Sequence, residues 1–181
     1  MVSPLRSGRL CAALMAAVLA VPVATLAAEF KPANQKIEIG RIAGRWYGVA
    51  RLPNLIQKDC QGGASDWSRT ENGYAVIQTC HRGSLLSPPT QWKAHARIVG
   101  PVTDGRIRIS YFGGVLNVEY RVRESRNDQG WLLLGTPNGR YLWLMAQQPI
   151  LSAAARSQAI GRIRQLGYDV AALEFPLPAR Q

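Results

Sequence analysis

Several runs of this chain alternate apolar and polar side chains residue by residue. Between residues 92 and 98, apolar residues take every second place, and Lys, His and Arg stand between them. The same alternation recurs over residues 106–111 and 117–123. Successive side chains of a strand point to opposite faces of a sheet, so each run has one apolar and one wet face. The pattern therefore predicts an antiparallel all-β fold with solvent on one side of the sheet.

Residues that favour turns separate these runs. Clusters rich in Gly, Pro, Asn and Asp stand at residues 87–89, 100–105, 113–114, 127–130 and 137–139. Glu71-Asn72-Gly73 predicts a tight hairpin turn, because Asn-Gly suits the positive backbone angles of such turns. The spacing of turns and alternating runs predicts eight strands in succession.

The end of the chain has a different pattern. Residues 131–135 and 141–146 are apolar at consecutive positions, which predicts strands covered on both faces. Residues 153–166 have a helical period, with Ser152 as N-cap and Gly167 as C-cap. The apolar face of this predicted helix carries Ala159, Ile160, Ile163 and Leu166. We expect the helix to pack on the outside of the sheet and to cover the two apolar strands.

The first 28 residues have the layout of a secretory signal peptide. Arg6 and Arg9 precede an apolar run at residues 10–24, and small residues follow, with cleavage predicted after Ala27 or Ala28. An amphipathic N-terminal helix is the alternative, but this segment has no polar face. We therefore expect an exported, periplasmic chain.

The part that follows is long enough for one domain with a single core. About 150 residues remain, which we divide into an N-terminal segment at residues 29–41 and a domain at residues 42–181. The formal net charge falls from +11 to +9 when Arg6 and Arg9 are removed. The arginines are spread singly, whereas a nucleic-acid surface needs clustered cations with interleaved aromatics. The charge favours peripheral contact with an anionic membrane over nucleic acid.

Two cysteines, Cys60 and Cys80, follow the predicted signal peptide. A small, even cysteine count in an exported chain favours a disulfide. The hairpin at Asn72-Gly73 brings the two ends of this segment side by side. A bridge there stabilises the fold by roughly 3 kcal/mol in the chain-entropy model. A free, reactive thiol is the alternative.

The opening of the predicted domain resembles the first strand of a lipocalin. Gly44 stands two places before Trp46, and Tyr47, a short apolar run and Leu52-Pro53-Asn54 follow. Residues 141–149 and the fifth run at 109–113 are similar to strands of bacterial and apolipoprotein-D-like lipocalins. So is the segment from Gly167-Tyr168-Asp169 to Leu173. The resemblance implies an eight-stranded antiparallel up-and-down barrel with one C-terminal α-helix packed on its outside. It assigns Gly44 and Trp46 structural roles, with the indole plugging the closed end.

Three features depart from that family pattern. Gln147 stands where the family usually has an arginine over the first-strand tryptophan. The acidic–aromatic signature of the sixth strand survives only as Glu119-Tyr120. Many bacterial lipocalins are lipoproteins, but the residues before Cys11 do not fit the small-residue box of lipid-modified signal peptides. Lipid anchoring is therefore not expected.

The resemblance implies a small apolar ligand inside the barrel. We predict that this ligand is a fatty acid or lysophospholipid, whose headgroup stays near the open end and the loop around Lys58. The predicted inward residues are Ala96, Ile98, Ile107, Ile109, Tyr111, Val118, Tyr120, Val122, Leu133 and Trp143. The alternative for each is a side chain that only fills the barrel, and a filled barrel favours a partner-binding module.

Catalytic patterns are sparse in this sequence. His81 and His95 are its two histidines, and with the cysteines they fit none of the usual zinc spacings. We therefore predict no catalytic residue, no metal and no cofactor. A cysteine-dependent, isomerase-like enzyme on the same fold is the alternative, and it requires Cys80 to be unpaired and inward-facing.

Overall fold

The computed structural model describes residues 42–178. The predicted signal peptide and the predicted N-terminal segment at residues 29–41 lie outside the described residues. The described chain forms eight strands and one α-helix. The elements are β1 (Gly44–Arg51), β2 (Cys60–Thr70), β3 (Gly73–Arg82), β4 (Thr90–Ile98), β5 (Arg106–Tyr111), β6 (Leu116–Arg126), β7 (Trp131–Gly135), β8 (Leu142–Ala146) and α1 (Ala153–Gln165).

The strands close into a barrel. Each strand pairs antiparallel with its neighbour in sequence, and β1 pairs with β8 to complete the ring. This confirms the predicted eight-stranded up-and-down barrel followed by one helix. No helix within residues 42–178 is long and apolar enough to span a membrane.

The β2–β3 hairpin turns where the sequence predicts it. Thr70 pairs with Gly73, so Glu71 and Asn72 form the loop. The positive φ, 132°, falls on Gly73. The positive angle expected for Asn72 is not observed, so that detail was wrong. A side chain at Gly73 would also overlap the backbone carbonyl of Ala96 on β4, which explains the glycine.

Two apolar clusters lie on opposite sides of the barrel wall. The inner cluster fills the interior and includes Trp46, Trp67, Ile107 and Val122. The outer cluster joins the outward faces of β7 and β8 to α1. Its buried residues are Ala50, Trp131, Leu133, Leu142, Leu144, Ala146, Ala155, Ala159, Ile163, Leu166, Tyr168 and Leu173. The strands that are apolar on both faces are thus covered by the helix, as predicted.

The caps of α1 also match the sequence. The Ser152 hydroxyl accepts a hydrogen bond from the Ala155 amide at 3.2 Å, and Gly167 takes a φ of 88° just after the helix. Of the predicted apolar face, Ala159, Ile163 and Leu166 are buried in the outer cluster, whereas Ile160 is only half-buried. The predicted helix differs from the observed one by a single residue at its end.

A disulfide joins Cys60 at the start of β2 to Cys80 near the end of β3, with 5.6 Å between the Cα atoms. This confirms the predicted pairing and excludes the free-thiol alternative. Cys80 is buried, and it lies opposite Gly63 in the β2–β3 register. The bridge therefore fastens the hairpin at the end remote from its turn.

The two ends of the barrel differ. We call the open end the one that carries the loops at residues 52–59, 83–89, 112–115 and 136–141. Ile42, Trp46 and Trp67 lie toward the opposite, closed end, where the Trp46 indole N–H donates to the Ile42 carbonyl at 2.8 Å. The chain after α1 returns to the open end, since Glu174 exchanges two backbone hydrogen bonds with Arg51.

Candidate functional site

The barrel is hollow. A cavity of about 590 Å³ runs from Trp46 and Trp67 up to the open-end loops, where it meets Leu55 and Tyr141. Volumes of roughly 300–1,000 Å³ are typical of sites for small molecules. The wall is mainly apolar, because the inward positions of the alternating strands carry apolar and aromatic residues. The space between them is large enough for a ligand.

Five of the predicted inward residues line this cavity: Ile109, Tyr111, Val118, Tyr120 and Trp143. Four of them lie on β5 and β6, whose sequences alternate clearly. The fifth, Trp143, lies on β8, which is apolar on both faces. The Tyr120 and Trp143 rings meet edge to face with centroids 5.5 Å apart. This pair gives one side of the cavity a rigid aromatic wall.

Four further predicted residues lie inside the barrel without lining the cavity. Ala96, Ile107 and Val122 are buried in the inner cluster, and Ile98 packs against it half-buried. Ile98 lies opposite Ile107 in the β4–β5 register, and all four residues belong to the parts of β4, β5 and β6 that are nearer the closed end. Their side chains fill the barrel there.

The inward orientation predicted for Leu133 is wrong. Leu133 is fully buried in the outer cluster beneath α1, and its neighbours Leu132 and Leu134 line the cavity instead. Because β7 is apolar at every position, its sequence cannot show which set of alternate residues faces inward.

Trp46 does more than plug the barrel. The ring is buried and lines the cavity, in addition to the structural role predicted for it. Gly44 begins β1 with a φ of 109°, a conformation that favours glycine. Gln147, which stands where the family usually has an arginine, is exposed and lies beside Gly130.

A polar cluster that the sequence did not reveal interrupts the apolar wall. The Tyr111 hydroxyl donates to Oε1 of Gln78 at 3.2 Å, and the Tyr120 hydroxyl is hydrogen-bonded to that of Tyr111. Ser65 lies opposite Gln78 in the β2–β3 register, and its buried hydroxyl has no hydrogen-bond partner among the described residues. The run from Gly62 to Ser65 lacks alternation, so its inward face could not be identified from the pattern.

Both phenols in this cluster are neutral at physiological pH. Burial raises the pKa of Tyr120 well above its ordinary value, and it also raises the pKa of Tyr111. The charged residues that line the described cavity are Arg51 and Arg140, and both lie at the open end. The interior therefore offers neutral hydrogen-bonding groups, and positive charge is confined to the entrance.

The β1–β2 loop is fastened over the entrance by its own polar groups. The Gln57 side-chain oxygen accepts hydrogen bonds from the Trp143 indole at 2.6 Å and from the Asn54 amide at 3.0 Å. Arg51 donates to the backbone carbonyls of Gln57 and Cys60 and pairs with Glu174 at 2.9 Å. The loop is thus anchored to both the barrel wall and the returning C-terminal segment.

The described residues contain little that could support catalysis. The disulfide occupies both thiols, so the isomerase-like alternative has no nucleophile. His81 places Nδ1 2.7 Å from the backbone carbonyl of Ser87, which assigns this ring to a loop contact. No group of three or more His, Cys, Asp or Glu side chains within residues 42–178 is placed to hold a metal ion.

Sequence comparison relates this chain to bacterial proteins. A profile described as "Lipocalin-like domain" matches residues 37–178. The outer membrane lipoprotein Blc of Vibrio cholerae is 25% identical over 164 residues, which cover 88% of this chain and 90% of that protein. The protein of the same name from Escherichia coli K12 is 26% identical over 137 residues, covering 72% and 73% of the two chains.

Structural comparison gives the same fold. Insecticyanin from the tobacco hornworm Manduca sexta superimposes with a TM-score of 0.67 at 12% identity, covering 82% of this chain and 84% of that one. Lobster apocrustacyanin A1 superimposes with a TM-score of 0.60 at 12% identity, covering 76% and 78%. With the closed barrel, its hollow interior and the matching profile, the chain belongs to the lipocalin family, whose members bind small hydrophobic ligands.

Proposed function

We propose that this lipocalin is an exported carrier or scavenger that holds a fatty acid or a lysophospholipid in its barrel. The observation that carries this proposal is the cavity of about 590 Å³, which is apolar along most of its wall and meets the surface at the open end. The alternative of a pure partner-binding module requires a barrel whose interior is filled by its own side chains. The cavity does not fit that requirement. In this proposal Ile109, Tyr111, Val118, Tyr120 and Trp143 contact the ligand.

The energetics suit an acyl chain. Burying one methylene contributes about 0.8 kcal/mol, so a chain of about 16 carbons offers roughly 12 kcal/mol. Ordering the chain and restricting its motion cost several kcal/mol, which leaves an affinity on the order of micromolar.

The charge distribution orients that ligand. A carboxylate in the interior would lose its hydration and meet only neutral partners, which is costly. At the entrance it meets the guanidinium of Arg140 and the ammonium of Lys58, where water remains accessible. The acyl chain therefore enters first, and the carboxylate or phosphate stays at the open end.

The proposed location is the cell envelope. The relatives from V. cholerae and E. coli are named as outer membrane lipoproteins. The first 28 residues of this chain have the layout of an export signal, but the residues before Cys11 lack the lipid-modification box. We therefore propose a periplasmic protein without a lipid anchor.

Two measurements test the carrier function. Lipid extracted from the chain purified from its native envelope and identified by mass spectrometry should include fatty acids or lysophospholipids in near-stoichiometric amount. After delipidation, a fluorescent fatty acid should bind saturably and be displaced by palmitate or lysophosphatidylglycerol. A delipidated chain that shows no saturable, displaceable binding contradicts the proposal.

The alternative of a cysteine-dependent enzyme has a simple test of its own. The disulfide predicts that a thiol reagent labels neither Cys60 nor Cys80 in denaturant unless a reductant is added. Labelling of either cysteine in the native, unreduced chain would restore a nucleophile and with it the enzymatic alternative.

A further inference from the structure

The open end carries a group of large apolar side chains that face solvent. Leu55, Leu86 and Val115 are 85%, 79% and 87% exposed. We call the whole group the apolar rim; it consists of Leu55, Ile56, Leu86, Phe112, Val115 and Leu116. Five of these residues come from three open-end loops and Leu116 is the first residue of β6, and the barrel topology brings all of them to one end. Elsewhere Ile77, Val102 and Ile150 are exposed at separate positions, and Phe175 and Leu177 are exposed in the C-terminal segment. Scattered exposure of this kind is normal for a protein surface.

The apolar rim is continuous with the cavity. Leu55, Ile56, Phe112 and Leu116 are exposed to solvent and also line the cavity. These four side chains therefore join the apolar rim to the cavity wall on one side of an entrance that also carries polar groups. A ligand chain that reaches the rim from an apolar phase can enter without crossing water.

One rim residue lies on strained backbone. Phe112 has a φ of 53°, in the left-handed region that residues other than glycine, asparagine and aspartate rarely adopt. The two glycines after it also have positive φ, and in this loop the Phe112 side chain lies at the mouth of the cavity with most of its surface exposed. This backbone conformation costs energy, and it leaves a phenylalanine side chain largely exposed. Strain of this kind indicates that the ring contacts something outside the protein.

The charge around the rim is complementary to an anionic surface. Lys58, Arg82 and Arg140 lie in or beside the open-end loops, and Asp59 is the acidic residue of those four loops. Arg82 lies 5.6 Å from the Trp92 ring centroid, and Arg140 lies 5.3 Å from that of Tyr141. Cations paired with aromatic rings at the edge of an apolar patch suit the headgroup region of a bilayer.

The loop that carries Leu55 and Ile56 is also braced from the side. Arg82 donates to the backbone carbonyls of Lys58 and Ile56 at 2.6 and 2.8 Å. Together with the Gln57–Trp143 bond, these contacts keep the two apolar side chains at the tip of an ordered loop. Little conformational entropy is then lost when the tip is inserted.

We propose that the open end of this lipocalin docks on an anionic bilayer. The apolar rim enters the acyl boundary while Lys58, Arg82 and Arg140 remain at the level of the lipid phosphates. The docked cavity opens directly onto the hydrocarbon, so an acyl chain passes between bilayer and barrel. The docking rests on the surface alone, whereas the transfer rests on the proposed carrier function.

Vesicle co-sedimentation of the purified chain tests the docking. Vesicles of phosphatidylcholine with phosphatidylglycerol should bind the chain, and vesicles of phosphatidylcholine alone should bind it more weakly. L86E/V115E should weaken binding by at least about tenfold. The matched control I77E/V102E places the same charges on the wall and at the closed end, and it should bind like the parent chain. K58Q/R140Q should lose about fivefold per cation on anionic vesicles and little on neutral ones.

The outcomes separate this inference from the carrier function. Equal binding of the rim and control variants, with both folded by near-ultraviolet circular dichroism, overturns the docking. The docking is also overturned if the parent chain does not bind anionic vesicles but self-associates through the apolar rim in sedimentation. A second copy of the chain would then be the partner of the rim. Fatty-acid binding in solution without vesicle binding contradicts only the docking. Vesicle binding without fatty-acid uptake contradicts only the carrier.

Discussion

At the scale of single residues, the interior combines an apolar wall with a few neutral polar groups. Tyr111 and Tyr120 belong to strands whose alternation places them inward. Their hydroxyls are hydrogen-bonded to each other, and the Tyr111 hydroxyl also donates to Gln78. A buried hydroxyl that is hydrogen-bonded costs little, whereas a buried phenolate would lose its hydration. Both phenols therefore stay protonated over the physiological range.

This protonation predicts a loss of stability at alkaline pH. The folded-state pKa of both tyrosines lies above the ordinary value of 10.0, so the folded chain holds its protons more tightly than the unfolded chain. The stabilisation is fully present below pH 10 and is lost progressively as the pH rises above it. Urea unfolding between pH 8 and 11.5 should show a free energy of unfolding that is constant up to about pH 10 and falls above it.

Replacing Tyr120 by phenylalanine measures how much its hydroxyl contributes to the free energy of unfolding. Y120F should lower the free energy of unfolding by about 1 kcal/mol at pH 7, because one hydrogen bond is lost. It should also make the alkaline decline shallower than in the parent chain. Y141F, at a half-buried position outside this cluster, serves as the control. A decline that is unchanged in Y120F contradicts the assignment to this cluster.

At the scale of secondary-structure elements, the inward residues of the alternating strands were predictable, whereas those of β7, which is apolar on both faces, were not. The runs that became β4, β5 and β6 each have one polar face, so their inward residues follow from the pattern. The sequence of β7 is apolar throughout, and only the position of α1 shows that Leu133 faces outward. Ser65 was missed because the start of β2 does not alternate. The contact between Gln57 and Trp143 was missed for another reason, since it spans 86 residues and exists only once β1 pairs with β8.

The helix is fastened to the barrel by one ion pair in addition to its apolar face. Arg162 donates to the carboxylate of Glu124 at 2.8 Å, and this carboxylate is buried. R162A should cost about 1–2 kcal/mol, because Glu124 keeps only its longer contact with Arg126. R164A, in the same helical turn but exposed, should change the free energy of unfolding by less than about 0.5 kcal/mol. Equal losses in urea unfolding would contradict this role for Glu124.

The disulfide acts on the β2–β3 hairpin. Its closed loop spans 20 residues, so reduction or C60S/C80S should lower the free energy of unfolding by roughly 3 kcal/mol. The strand ladder between β2 and β3 should survive, because its backbone pairs continue to the turn. Fatty-acid uptake by the reduced but folded chain should therefore persist. Loss of uptake without unfolding would point to a direct role for Cys60 at the cavity wall.

At the scale of the whole molecule, the two ends of the barrel differ in packing and in surface. The closed end is filled by the inner cluster around Ile107 and Val122, which leaves the cavity toward the open end. The open end gathers the apolar rim, the anchored β1–β2 loop and the cations. Sequence alone placed the barrel and the helix, and it identified several cavity residues. The size of the cavity depends on how side chains from all eight strands meet, which no local pattern encodes.

The central claim is that an acyl chain occupies the interior, and a matched pair of tryptophan substitutions tests it directly. V118W places a large ring in the cavity, whereas R108W places the same ring on the exposed outer face of the neighbouring β5. Calorimetric titration of the delipidated chain with palmitate should give one site of about micromolar affinity. We expect R108W to retain that affinity and V118W, still folded by circular dichroism, to lose at least about tenfold. Unchanged binding in folded V118W would show that the ligand lies elsewhere and would contradict the account.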